Sequence, residues 1–108
     1  MTRRKADPGP VLAAISDPTR REVIRALSED GPRTLSDLAS ELPVTRQAVA
    51  KHLALLEEAG LVEASGETRR RSFRLTPGPL SDAMEWMVEV GAAWDERLKR
   101  LQRLVERR

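Results

Sequence analysis

Cysteine is absent from the 108 residues, which excludes disulfides, thiolate metal centres and cysteine nucleophiles together. Tyrosine is absent too, and one Phe and two Trp are the whole aromatic complement. That is too little for an aromatic-lined ligand pocket or a base-stacking sheet, so aliphatic side chains must form the core. A single histidine, His52, rules out a centre taking two imidazoles from one chain. It also leaves little material for acid–base catalysis near neutrality, and a hydrolase would need acid, base and nucleophile from a chain with one His. The longest apolar run is five residues, Val11 to Ile15, against the roughly 20 that cross a bilayer. With no signal peptide recognised ahead of it, a cytoplasmic location and no membrane partner are expected.

What the chain does have is charge and helical patterning. Hydrophobic residues make up 40% and charged residues 33%, enough for one modest core under an ionised surface. The net charge is only +2, and the basic excess is local. Arg3, Arg4 and Lys5 form one cluster, Arg69, Arg70 and Arg71 a second, and from Arg97 to Arg108 six bases face one acid. The last run also suits the C-terminal end of a helix dipole, and a solvated helix end is the simpler account of it.

Proline and glycine divide the chain into short helices, a hairpin and one long helix. Residues 1–9 read as a flexible arm and residues 10–108 as one domain. Val11, Leu12 and Ile15 mark a first short helix; Asp17-Pro18 then supplies an N-cap and a first-turn proline for a second, running to about Leu27. Gly31-Pro32 is a break. Thr34-Leu35-Ser36-Asp37 has the form of a capping box, and Leu35, Leu38, Ala39 and Leu42 follow helical spacing behind it. Pro43 forces a turn, and Thr45 caps a fourth helix in which Val49, Leu53 and Leu56 face inward while Arg46, Gln47, Ala50 and Lys51 point elsewhere. Gly60 ends that helix. Residues 61–64 and 69–75 flank a Ser-Gly turn as a β-hairpin with a basic returning strand. Beyond Pro79, Leu80, Met84, Met87, Gly91, Trp94, Leu98, Leu101 and Val105 recur at alternating steps of four and three, a coiled-coil-like seam. Trp86, just off the seam, is read as a cover on the body. The fold class is mainly α with a small β-hairpin.

A short helix, a tight turn, a second helix with a slim polar face and a basic hairpin make a winged helix-turn-helix, and its chemistry is DNA binding. An α-helix fits the major groove, where Arg46 and Gln47 can pair bidentately with guanine and adenine edges. Ala50 permits close approach, Lys51 reaches a phosphate, and Thr45 sits at a helix N-terminus that favours an anion. Arg69, Arg70, Arg71 and Arg74 are expected on the adjacent backbone or in the minor groove, because four arginines so close together repel one another without an anionic partner. A winged helix that binds protein in place of DNA is the alternative. His52 sits at the inward edge of the fourth helix and is read as packed with one hydrogen bond, not as a sensor.

Three stretches, SDPTRREVIRAL, TLSDLASELPVTRQAVAKHLALLEEAGLV and RRRSFRLTP, resemble the ArsR-type winged-helix repressors, over about residues 11 to 106. The resemblance implies a dimeric bacterial repressor of an inverted-repeat operator, released by a signal, with no catalysis and no cofactor. It points to a homodimer joined through Leu12 and the seam from Leu80 to Val105. Thr34 and Ser36 stand where metal-sensing relatives carry a Cys-x-Cys pair. No histidine joins Asp82, Glu85, Glu89, Asp95 and Glu96 on the last helix, so no metal site is expected, and the inducer is not identified.

Overall fold

Each of the first four helices begins where a side chain satisfies its unpaired amides. In the computed structural model, which describes residues 7–67 and 70–107, Asp7 accepts from the Gly9 amide at the head of α1 (Pro8–Ala14). Asp17 accepts from the Arg20 amide at α2 (Pro18–Asp30), with Pro18 in the first turn. Thr34 and Asp37 exchange both bonds of a capping box at α3 (Leu35–Glu41). Thr45 accepts from the Ala48 amide at α4 (Arg46–Glu58). Several boundaries differ from the sequence reading: the last helix opens at Pro77 and takes in the Pro79 expected to precede it, since prolines fit a first helical turn, and the returning strand is only Ser72–Leu75. α1 opens at Pro8, inside the arm expected over residues 1–9, because Asp7 caps it; residues 1–6 lie outside the described set. α2 reaches Asp30, where the positive φ of Gly31 ends it.

Between α3 and α4, Leu42 is extended at φ −103° and ψ 144°, as the residue before a proline must be. After α4, Gly60 takes φ +78° and lets β2 (Val62–Ser65) leave at once. β2 pairs antiparallel with β3 (Ser72–Leu75), Val62 opposite Leu75 and Ser65 opposite Ser72. The sheet is larger than the expected hairpin. A two-residue strand β1 (Arg33–Thr34) pairs with β3, giving the order β1-β3-β2. Two residues are too few to show strand alternation. Arg33 anchors this strand by pairing with Asp30, Asp37 and Glu41, and the hydrogen bond it donates to Glu41, more than any other contact, raises its pKa further.

Val11, Val23, Leu27, Leu38, Val49, Leu53, Leu56, Leu61 and Phe73 bury their side chains in one cluster drawn from α1 to α4 and the sheet. The last helix, α5 (Pro77–Glu106), joins this core only at its start: Leu80 packs on it half-buried, Asp82 and Ala83 are buried, and α1 lies alongside. From Met84 to Arg107 every residue is exposed. Trp86 is 43% exposed and does not cover the body, because α5 leaves it after Ala83. At about 1.5 Å per residue α5 is roughly 45 Å long, and the molecule measures 68 × 40 × 21 Å. Among the described residues no helix is long and apolar enough to cross a membrane.

Candidate nucleic-acid interface

The inward stripe of α4, Val49, Leu53 and Leu56, is fully buried, and this fixes the rotation of the helix about its axis. Thr45, Arg46, Gln47, Ala50 and Lys51 are thereby all turned to solvent at its N-terminal end. Thr45 uses an oxygen lone pair for its cap and keeps its hydroxyl proton for a further acceptor. Arg46 is folded back on α3, donating from Nη1 to Ser36 Oγ at 2.8 Å.

A cleft of about 250 Å³ separates α3 and α4 from the wing, lined by Ser36, Arg46, Ala50, Glu57, Arg71 and Phe73 among others. The wing itself is shaped by Gly66 at φ +94°, where a Cβ would come within 2.9 Å of the Arg70 carbonyl oxygen. Arg70 is exposed. Arg71 Nη2 donates to Glu57 Oε2 at 3.2 Å, and its guanidinium lies 5.4 Å from the centre of the Phe73 ring. Arg74 Nη2 donates to Glu63 Oε2 at 2.8 Å, across the register pair Glu63–Arg74. Arg69 lies outside the described residues. Arg71 and Arg74 therefore have carboxylate partners within the chain, which the self-repulsion argument from sequence did not include.

A helix-turn-helix domain model matches residues 15–65. An ArsR-like transcriptional regulator from Rhodococcus sp. RHA1 superposes with a TM-score of 0.78 at 37% identity, covering 90% of this chain and 91% of that one. The chain belongs to the ArsR-like family of transcriptional regulators. The uncharacterized HTH-type regulator YuzN of Bacillus subtilis is 35% identical over 73% of this chain and 92% of its own. The transcriptional repressor SdpR of the same organism is 30% identical over 72% and 86%. This ArsR-like protein is a DNA-binding transcriptional regulator with a winged helix-turn-helix.

In the ArsR-like chain, Arg46, Ala50 and Arg71 are the sequence-predicted DNA-binding residues that line the cleft. Thr45, Arg46, Gln47, Ala50 and Lys51 stand on α4, and Arg71 closes the cleft from the wing. Arg70 and Arg74 lie on the wing outside the cleft lining. Sequence reasoning missed Ser36, Glu57 and Glu63. Glu57 was legible in principle, since it continues the face of Arg46, Ala50 and Ala54 at helical spacing.

Behind the exposed face of α4, His52 is partly buried with its Nδ1 3.4 Å from Arg20 Nη1. Arg20 also donates to the Ala14 carbonyl oxygen at 2.6 Å, so α1, α2 and α4 are tied at one point. Asp17 Oδ2 stands 4.0 Å from His52 Nδ1, and the Arg20 amide, ahead of the nearby cationic side chains, holds the Asp17 carboxyl below its usual range. Among the described residues no three His or carboxylate side chains converge as metal ligands.

Proposed function

We propose that this regulator is a homodimeric repressor acting in the cytoplasm on an inverted-repeat operator. α4 reads the major groove, and the wing grips the flanking backbone. The observation that carries the reading is the simultaneous exposure of Thr45, Arg46, Gln47, Ala50 and Lys51 at one end of a helix whose other face is locked in the core. Arg46 and Gln47 reach base edges, Ala50 allows close approach, and Thr45 and Lys51 hold phosphates. Arg69, Arg70, Arg71 and Arg74 contribute affinity that falls with salt.

Dimerisation is supported by the apolar face α5 presents to solvent: Met84, Met87, Trp94, Leu98, Leu101 and Val105 are exposed, a pattern that ordinarily marks an interface. On this reading Gly91 lets a partner helix approach, Leu12 joins the seam from α1, which packs on α5, and Leu80 anchors its base to the body. A twofold axis then sets two copies of α4 about one helical turn of DNA apart, and occupancy of a promoter represses it. Catalysis has no part in this function. The test is a binding selection from random duplex, followed by salt titration and sedimentation of the complex. An inverted repeat bound by two chains, with affinity falling steeply with salt, is the expected result; salt-independent binding or none would assign the winged helix to protein recognition.

A further inference from the structure

We propose that Glu57 is a built-in competitor for DNA phosphate: it holds Arg71 against α4 in the free protein and must release it when the wing engages the backbone. The inference rests on the reading of the wing as a phosphate-binding element. Arg46, Ala50, Ala54 and Glu57 succeed one another at steps of four, four and three, so they form one stripe on α4. That stripe lines the cleft whose opposite wall carries Arg71 and Phe73. A carboxylate is thus set at the end of the stripe that begins with Arg46, facing the basic strand of the wing.

Arg71 is held twice. Nη2 donates to both carboxylate oxygens of Glu57, at 3.2 and 3.5 Å, and the guanidinium carbon sits over the Phe73 ring, 5.4 Å from its centre. A carboxylate and a phosphodiester are acceptors of the same kind for a guanidinium, so binding DNA at Arg71 exchanges one anion for the other. Both side chains keep more than two fifths of their exposure, 46% for Arg71 and 41% for Glu57. Water and salt reach the pair, and an exposed pair of this kind is weak. Glu57 therefore tunes affinity and does not block it.

The exchange leaves a thermodynamic signature. When Arg71 leaves Glu57 for a phosphate, the freed carboxylate takes up a cation and offsets part of the counterion release from DNA. Without the carboxylate that offset vanishes, so the salt dependence steepens, by up to about one unit of slope. Glu58, the next residue, lines a cavity on the opposite side with Pro10, Ala13 and Leu55, and serves as a charge-matched control.

The experiment compares full-length wild type, Glu57→Gln, Glu58→Gln, Arg71→Ala and the Glu57→Gln/Arg71→Ala double variant on the selected operator and on random duplex, from low to moderate salt. Glu57→Gln is expected to bind both DNAs about two- to fivefold tighter with the steeper slope, Glu58→Gln to match wild type, and the gain to disappear in the Arg71→Ala background. Unchanged or weaker binding by Glu57→Gln, an equal gain from Glu58→Gln, or a gain that survives Arg71→Ala would each overturn the proposal. Nitrogen NMR of the Arg71 side chain without DNA tests the pair separately. Slower guanidinium exchange in wild type than in Glu57→Gln is expected, and equal exchange also overturns it. Wild type with no salt-dependent DNA affinity would instead remove the reading of the wing on which the proposal stands.

Discussion

At the scale of single residues, position on α4 separates base reading from charge. Arg46 and Gln47 are exposed at the end of the helix proposed to enter the groove, and the hold of Ser36 on Arg46 is one neutral acceptor, which on that reading is readily given up for a guanine edge. Replacing Arg46 or Gln47 by alanine should cost about 1–3 kcal/mol on the operator and little on random duplex. Equal losses on both DNAs would remove this helix from the role of reader. Removing Arg70 and Arg71 together should weaken both DNAs and flatten the salt slope, by about one unit for Arg70 and by less for Arg71, whose release from Glu57 offsets part of its own counterion release. The reading residues were legible because helical spacing alone assigns a face once the apolar stripe is known. The internal pairs of Arg71 and Arg74 were not, since Glu57 and Glu63 meet them only when the wing folds against α4 and β2 pairs with β3.

At the scale of elements, the caps tie the helix-turn-helix to pH. The Thr34 amide, followed by its hydroxyl, holds the Asp37 carboxyl below its usual range, and the Arg20 amide does the same for Asp17. A carboxyl whose pKa is lower folded than unfolded adds stability that is complete above the unfolded value, near 4, and is lost as pH falls through the folded one. Thermal midpoints should therefore hold between about pH 5 and 7 and decline on the acid side. Asp37→Asn, which keeps the shape and removes the titration, should show a shallower acid decline, and an unchanged decline would mean that this carboxyl contributes nothing. The capping box and the Pro43 turn were readable because their chemistry is local, within four residues. β1 was not, because a two-residue strand exists only through its pairing with β3 across the fold.

At the scale of the whole molecule, α5 is the unsettled part of a single chain. A radius of gyration of 18.7 Å exceeds the roughly 13 Å of a compact 100-residue domain, and the excess comes from a helix that leaves the body after Ala83. Leu98 is 57% exposed on its apolar face. On the proposed reading Leu98→Glu should convert dimers to monomers, by sedimentation, while helix content measured by circular dichroism stays largely intact. A mass unchanged from wild type would place the interface elsewhere.

The sequence by itself determined the helices, the caps of α2, α3 and α4, the turn before α4, the outward face of that helix and the class of molecule, because each depends on neighbours within a turn or two of chain. Tertiary structure decided the third strand, the burial of Ala83 against the exposure of Trp86, and the partners of Arg46, Arg71 and Arg74. Those depend on where separate elements come to rest, and charges far apart in the chain find each other only after the core has fixed the elements that carry them.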